Sequence, residues 1–200
     1  MPPTNIVMDL SWLVNVFFYT NPDCALKGFA YFICRIKNEF KPLSISIALD
    51  SPSFRAQLYP EYKAGRPSKP DEFYFQFNEI LEFCEQVGLS IYKRELYEAD
   101  DIIASLARQS FENNELCVIV SADKDLRCLL RTGKIGSYVK KNGAPWSFYS
   151  QSDAEKDWNI KIEQATDYLT LVGDTCDNLP GMPSIGPKTA SALLNEFGSI

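Results

Sequence analysis

Three short apolar runs that each end in aspartate constrain the fold of this 200-residue chain more than any other feature. They read NIVMD, SISIALD and LCVIVSAD, and they end at Asp9, Asp50 and Asp123, with Asp125 just beyond the last run. The runs are rich in Ile, Val and Leu and are too continuously apolar for half-exposed strands. They therefore predict central strands of a parallel sheet that is covered on both faces.

Segments with helical character lie between and after these runs, at about 25–38, 71–87 and 99–110. The resulting β-α-β-α-β order favours an α/β fold with three layers (α/β/α), a mostly parallel central sheet and right-handed crossovers. Ligands of such sheets bind outside the carboxyl ends of the strands, so we expect the strand-end aspartates to converge there. One such aspartate is commonly only a helix N-cap, but three strands that end alike weaken that interpretation.

Two further acidic groups accompany the strand ends. Glu98, Asp100 and Asp101 in YEADDIIASLA precede a run with helical apolar spacing, and Asp174 and Asp177 follow a helix predicted at about 162–172. Acids in a first helical turn are stabilised by roughly 0.3–1 kcal/mol each, so helix capping is an alternative explanation for the first group. Other parts of the sequence are needed to distinguish helix capping from ligand binding.

Without cations, these acids would repel one another strongly if they met in one place. Carboxylate oxygens are the ligands that Mg²⁺ and Mn²⁺ prefer, and two such ions about 3.5–4 Å apart can clamp the attacking and leaving oxygens of a phosphodiester. We therefore predict a divalent-metal site. Its nine candidate acids are Asp9, Asp50, Glu98, Asp100, Asp101, Asp123, Asp125, Asp174 and Asp177.

Composition excludes several other kinds of site. The chain has no histidine, and its six cysteines are scattered without a CxxC pair, which argues against zinc and against a Ser-His or Cys-His nucleophile. It shows no signal peptide and no segment of transmembrane length, so we expect a cytoplasmic protein without a membrane partner.

The charge of the chain is segregated. A net charge of −6 argues superficially against a nucleic-acid partner, yet residues 54–70 carry four basic residues and one acid. The basic ones are Arg55, Lys63, Arg66 and Lys69. A solvated loop is the alternative reading of this stretch. Near the other end, a loop rich in Gly and Pro leads into a helix from about Pro187, whose free N–H groups favour anions.

These segments, in this order and spacing, resemble the 5′-nuclease domain of bacterial DNA polymerase I and its relatives in the flap endonuclease superfamily. The resemblance is carried by ALDSPSFRAQLYPEYKAGRPSKPDEF, YEADDIIASLA, SADKDL and LVGDTCDNLPGMPSIGPKTASALL. It implies a PIN-like or resolvase-like nuclease core over 1–160 that includes a helical arch at about 51–75. A metal-ligand loop and a helix–hairpin–helix would follow over 161–200.

The resemblance also implies an activity: two-metal 5′–3′ exonuclease and flap endonuclease action in replication and repair. The partner would be DNA with free 5′ ends, flaps, nicks or branches, and we expect a monomer. One Mg²⁺ or Mn²⁺ ion would lie among Asp9, Asp50, Glu98, Asp100 and Asp123. The other would lie among Asp123, Asp125, Asp174 and Asp177. Asp101 would have a supporting or structural role.

Further residues take their roles from the same resemblance. The catalytic residues would be Tyr62, Lys63 and Arg66, which match the base of the helical arch. There an aromatic ring can stack on a nucleobase, and cations neutralise phosphate. Backbone N–H groups of the hairpin would grip duplex DNA without reading its sequence, and its carbonyls can hold K⁺. The DNA-binding set is Arg55, Lys69, Gly186, Lys188 and Thr189.

Four departures from the family pattern stand out. Leu10 and Ser184 replace the usual glycines, Val16 replaces an expected basic residue, and the chain stops at EFGSI, where the family continues. We read that ending as a truncated or unusually short member. The departures keep an alternative open, a DNA-binding protein of the same fold that cleaves weakly or not at all. A PIN-like ribonuclease is a more distant alternative.

Overall fold

A computed structural model describes residues 3–140 and 144–200, and six of the described strands form one sheet. The sheet has the order β3-β2-β1-β4-β5-β6, and only the β5–β6 pairing is antiparallel. Its strands are β1 (Thr4–Asp9), β2 (Ser44–Leu49), β3 (Ser90–Lys93), β4 (Leu116–Val120), β5 (Ile135–Val139) and β6 (Ser147–Tyr149). The three apolar runs become β2, β1 and β4, which are adjacent in the sheet, so their carboxyl ends meet at one edge.

The α-helices are α1 (Leu10–Thr20), α2 (Ala25–Phe40), α3 (Phe54–Leu58), α4 (Asp71–Gln86), α5 (Ala99–Glu112), α6 (Gln151–Trp158), α7 (Ala165–Val172) and α8 (Pro187–Phe197). Three 3₁₀-helices cover Pro22–Cys24, Asp125–Leu129 and Ile162–Gln164. A separate two-stranded ladder pairs β7 (Gly173–Asp174) with β8 (Leu179–Pro180).

Alternate side chains of the central strands enter different cores, as a sheet covered on both faces requires. Ile6 and Met8 of β1 pack with apolar residues of α1, α2 and α4. Val7, between them, packs instead with Ile103 and Ala107 of α5. The predicted three-layer α/β fold is therefore confirmed.

Helix α1 and strand β3 were not predicted. In α1, the sequence LSWLVNVFFYT is apolar on nearly every side, so it shows no clear helical period, although Asp9 caps it by accepting a hydrogen bond from Trp12 N at 2.9 Å. β3 is a four-residue edge strand whose side chains are mostly exposed, which leaves no apolar run to recognise. The helices predicted at 25–38, 71–87 and 99–110 begin at the expected residues and end within about two of them. The helix predicted at about 162–172 starts as a 3₁₀-helix and becomes α-helical only at Ala165.

The 135–149 region was predicted as short β-like or loop pieces. GSYV lies in β5 and SFY forms β6, while residues 141–143, which include the start of NGAPWSFY, lie outside the described residues. We also expect Ser152 to cap the helix of SDAEKDWNI, and this is wrong. Ser150 is the N-cap, because its hydroxyl accepts from Asp153 N at 3.3 Å and Asp153 in turn accepts from Ser150 N at 2.9 Å.

Residues 51–75, the expected arch, comprise α3, turns over 60–65, an extended stretch and the first turn of α4. At the other end of the chain, α7 and α8 pack against each other around Tyr168, Leu171, Ala190 and Leu194. The loop between these two helices contains β7 and β8. No helix within residues 3–140 and 144–200 combines the length and apolar character needed to cross a bilayer.

Candidate metal and nucleic-acid site

Two of the strand-end carboxylates are fixed by neutral donors. Asp9 ends β1, and its second oxygen accepts from Ser121 Oγ at 3.3 Å. Asp50 follows β2 and accepts from Ser11 Oγ at 2.7 Å and from Ala99 N at 2.9 Å. These bonds join the ends of β1, β2 and β4 to the first turns of α1 and α5, so the strand-end acids and the start of α5 share one site.

Negative charge at these strand ends is poorly compensated. Burial, with smaller contributions from Asp50 and Asp123, raises the pKa of Asp9 to about 7. Burial and then the charges of Asp123, Asp9 and Asp50 raise the pKa of Asp100 to about 8. Within the described part of the chain, none of these four acids forms an ion pair. The cluster is therefore one that a divalent cation would stabilise.

A second acidic group lies on the loops. Asp125, Asp174 and Asp177 each place a carboxylate oxygen within 4.8 Å of the others, the one such trio of metal-ligand side chains among the described residues. Gly173 brings the chain into this loop with φ +73°, and a Cβ there would lie 2.3 Å from Gly181 N, so this position requires glycine. The predicted second ligand set thus meets in space, apart from Asp123, which stands outside the trio.

The basic segment, residues 54–70, contacts Glu98 and Asp177. The hydroxyl of Tyr62 donates to Glu98 Oε2 at 2.9 Å, and the Lys63 ammonium pairs with the other oxygen of Glu98. Lys63 Nζ is also 3.8 Å from Asp177 Oδ2, and Arg66 pairs with the same aspartate. The three predicted catalytic residues therefore meet the predicted metal ligands, although Glu98 contacts cations rather than the strand-end acids.

Lys63 has an unusual backbone. Its φ of +59° lies in the left-handed region, which costs a non-glycine residue free energy unless its surroundings hold it. Here Lys63 N donates to Asp177 O at 3.0 Å, and Asn178 Nδ2 donates to Glu61 O at 3.0 Å. These bonds fix the basic segment against the loop that carries Asp177.

Asp101 has a structural role at the start of α5. Its Oδ2 accepts from Glu98 N at 3.0 Å, which caps the helix. Arg55 donates to both oxygens of Asp101 at 2.8 Å, and this guanidinium holds the pKa of the carboxyl below its usual range. The capping explanation thus holds for Asp101, while Asp100 is half-buried and interacts electrostatically with the strand-end acids. Arg55, predicted to bind DNA, is already paired with Asp101 and Glu98.

The other predicted DNA-binding residues lie in two places. Gly186, Lys188 and Thr189 are exposed at the start of α8, at the far end of the loop that carries Asp177. Lys69 lies instead beside α1, where its ammonium donates to Asn15 Oδ1 at 2.6 Å. The contact of any of these with DNA stays a prediction.

The structure shows the conformation or the location of three residues that depart from the family pattern. Ser184 has φ +64°, the left-handed conformation in which glycine is free of strain. Leu10 begins α1 and is fully buried, and Val16 lines a cavity next to Asp123. No charged side chain from position 16 therefore enters the site.

Sequence reasoning missed several residues of the site. Ser11 and Ser121 hold the strand-end aspartates, Lys124 pairs with Asp174 at 3.2 Å, and Asn178 bonds the two loops. Ser121 and Lys124 lie in SADKDL, Asn178 directly follows Asp177, and Ser11 lies two residues after Asp9, so proximity to the acids was the available signal.

Known proteins place this arrangement in a family. The model described as 5′-3′ exonuclease, N-terminal resolvase-like domain, matches residues 17–159, and the model described as 5′-3′ exonuclease, C-terminal SAM fold, matches residues 160–200. DNA polymerase I of Chloroflexus aurantiacus is 37% identical over 185 residues, which cover 90% of this chain and 19% of that protein. The chain spans about a fifth of the length of the curated relatives it matches.

Solved structures give the same fold. The T5 5′-exonuclease with bound zinc superimposes with a TM-score of 0.87 at 21% identity, over 98% of this chain and 76% of that one. A T5 flap endonuclease in a pseudo-enzyme–product complex with DNA and metal ions gives a TM-score of 0.82 at 20% identity, with the same coverage. With two family models that together span residues 17–200, this chain belongs to the 5′-3′ exonuclease family, as its motifs predict.

Proposed function

We propose that the protein is a divalent-metal-dependent 5′–3′ exonuclease and flap endonuclease that hydrolyses DNA phosphodiesters in replication and repair. The observation that carries the proposal is the group of carboxylates at the carboxyl edge of the sheet, which have no ion-pair partner among the described residues, with the Lys63–Glu98 and Arg66–Asp177 pairs beside it. Family membership supports it, as does the T5 flap endonuclease of the same fold, which was solved with DNA and metal ions.

The residues present fit divalent cations. All candidate ligands are carboxylate oxygens, which suits Mg²⁺ or Mn²⁺. Asp9, Asp50, Asp100 and Asp123 would hold one ion, with Glu98 nearby once it leaves its cations, and Asp125, Asp174 and Asp177 would hold the other, with Asp123 between. When bound, two such ions activate a water molecule and stabilise the charge that develops on the phosphate and the leaving oxygen.

The side chains of the basic segment would act on the substrate itself. Lys63 and Arg66 can exchange their carboxylate partners for a phosphate, because a phosphodiester offers the same kind of charged oxygen. Tyr62 stays a neutral donor, since burial and its hydrogen bond to Glu98 raise the pKa of its phenol. These groups would position the phosphate and stabilise negative charge on it.

The start of α8 would hold the duplex. Its exposed N–H groups, together with Lys188 and Thr189, can bind backbone phosphates without reading bases. K⁺ bound by carbonyls of the Gly181–Gly186 loop is part of the proposal, as are a monomeric protein and a cytoplasmic location. The free 5′ strand would pass the segment over 59–70.

A cleavage assay tests this function. Labelled flap DNA, nicked DNA and single-stranded RNA are incubated with Mg²⁺, with Mn²⁺ and with EDTA, and Asp50→Asn is the matched control. We expect cleavage of the two DNA substrates that stops in EDTA and in the variant. Full activity in EDTA would refute the metal mechanism. Binding of flap DNA without cleavage would make the protein a DNA-binding relative, and preference for RNA would make it a ribonuclease.

A further inference from the structure

A cavity of about 470 Å³ opens beside Asp123, on the side of the acidic site that faces α1 and β5. Its walls include Trp12 and Val16 of α1, Arg127 of the 3₁₀-helix, Lys140 after β5, and Asp123 itself. Pockets for small ligands typically measure about 300–1,000 Å³, so one nucleotide is of a suitable size. Of the proposed metal ligands, Asp123 lines the cavity, and none of the predicted catalytic residues lines it.

Two cations line this cavity without a carboxylate partner. Arg127 lies over the ring of Tyr149, at 5.1 Å from its centre, and over the ring of Trp158, at 5.0 Å. Within residues 3–140 and 144–200, neither the guanidinium of Arg127 nor the ammonium of Lys140 forms a salt bridge. Around the neighbouring acids, by contrast, Lys63, Arg66 and Lys124 are all paired.

The surroundings of Arg127 suit anion binding. Two aromatic rings orient its guanidinium and leave its N–H edge available, and a planar fork of donors matches phosphate oxygens. Because neither cation is paired with a carboxylate among the described residues, a phosphate can bind both without breaking an ion pair. Arg127 and Lys140 therefore offer positive charge at one cavity, a few residues from the acids at which phosphodiesters would be cleaved.

The other side of the cavity is apolar and aromatic. Trp12 is half-buried, and the edge-to-face contact with Trp146, at 5.7 Å between ring centres, holds its indole in place. An aromatic ring of this kind can contact a base of any identity. Val16 adds an aliphatic surface and no charge. Phosphate-binding and base-binding groups thus lie on the same cavity.

We infer that this cavity binds one nucleotide of the DNA strand next to the cleaved bond, with its phosphate at Arg127 and Lys140 and its base against Trp12 and Val16. The inference rests on the proposed nuclease function and adds a subsite to it. The chemical class of the ligand is a nucleoside 5′-phosphate. The subsite would supply, from β5 and the 3₁₀-helix, positive charge that position 16 of α1 lacks.

Binding of deoxyadenosine 5′-monophosphate tests the inference apart from catalysis. Its Kd is measured by calorimetry in Ca²⁺, so that cations neutralise Asp123, and deoxyadenosine is measured beside it. We expect Arg127→Gln to raise the Kd of the monophosphate by about 10-fold or more, and Lys140→Gln to raise it by about 3-fold or more. Arg108→Gln on α5, whose partner is Glu112, is the matched control and should change nothing.

Thermal unfolding of each variant separates binding from stability. Arg127→Gln removes two ring contacts, whereas Lys140 forms no salt bridge with any of the described residues. Lys140→Gln therefore tests the subsite even if Arg127→Gln unfolds. The inference is overturned if both variants keep the wild-type Kd, or if deoxyadenosine binds as tightly as its monophosphate. Cleavage of flap DNA by the wild-type protein decides the proposed function independently of that result.

Discussion

The strand-end carboxylates and the loop carboxylates of the site are stabilised in opposite ways. Asp9, Asp50, Asp100 and Asp123 lie at the sheet edge and at the start of α5, with hydroxyl and N–H donors but no ion pair among the described residues. Asp174 and Asp177 lie on a loop and pair with Lys63, Arg66 and Lys124. Asp125 belongs in space to the loop group but forms no ion pair with any described residue.

The backbone conformation also differs between the sheet edge and the loops. The sheet edge is regular, whereas the loops pass through left-handed positions at Lys63, Asn178 and Ser184. The sheet edge thus presents a preformed group of acids without a paired cationic side chain among the described residues, and its charge is neutralised by bound protons or by an added cation. The loop group is already paired with cationic side chains. When substrate binds, a phosphate would have to bind these side chains and a metal ion would have to replace them at the carboxylates.

The largest expected effect comes from removing charge from each group separately. Asp50→Asn alters the sheet edge, and the double variant Asp174→Asn, Asp177→Asn alters the loops. Each should slow single-turnover flap cleavage by at least about 10³-fold, because Asn brings no negative charge to a cation. Flap binding in Ca²⁺ should stay unchanged for Asp50→Asn. It should tighten for the double variant, which frees three cations for phosphate.

Two results would contradict the proposed roles of the loop carboxylates and of their cations. Near wild-type cleavage by the double variant would make the loop acids structural and remove the second metal site. Weaker DNA binding by the double variant would show that Lys63, Arg66 and Lys124 need their carboxylate partners in order to be positioned.

A smaller effect is expected from Lys63, which pairs with Glu98 and with Asp177 of the loop group. Lys63→Ala should lower the single-turnover rate by about 10²-fold, or roughly 2.7 kcal/mol, if the ammonium stabilises charge on the phosphate. Lys37→Ala, on the exposed side of α2, is the matched control. A loss confined to DNA affinity would instead make Lys63 a residue that only attracts the substrate.

The pH dependence of stability should sharpen the contrast further. The pKa values of about 7 for Asp9 and about 8 for Asp100 lie above the ordinary value near 3.9, so the folded protein retains protons that the unfolded chain releases. Metal-free protein should therefore lose stability as the pH rises from about 5 to about 8. Its Tm should fall by about 2–4 °C for each kcal/mol lost, and Ca²⁺ should restore it.

Asp9→Asn is the control for this measurement, because it removes one of the groups with a raised pKa and should flatten the decline. A Tm that rises steadily between pH 5 and 8 in EDTA would contradict the picture of uncompensated charge at the sheet edge.

The smallest effect concerns the strained loop backbone. Ser184→Gly should stabilise the protein by up to about 1 kcal/mol, because glycine adopts a φ of +64° without strain but loses more freedom on folding. Ser68→Gly, at an exposed position with ordinary φ, should bring no gain. Chemical denaturation measures both. Destabilisation by Ser184→Gly would mean that the serine side chain itself holds the turn.

The sequence allowed the central sheet to be predicted, because buried parallel strands leave continuous apolar runs, and it located the acids at their ends. It did not show α1, whose uniform apolarity hides its period, nor the edge strand β3. The acids were found by residue type and spacing. The partners Ser121 and Asn178 were not, since they come from distant segments, and only the fold brings Ser121 to Asp9 and Asn178 to Glu61.

The bonds between Lys63 N and Asp177 O and between Asn178 Nδ2 and Glu61 O join the two parts of the chain that match different family models. We therefore expect the two segments to depend on each other for their shape. A chimera that takes residues 160–200 from a relative would inherit a loop shaped for another partner, so residues 59–66 would have to be transplanted with it. For recombination and for protein engineering, the natural unit here is therefore this pair of distant segments rather than either family region alone.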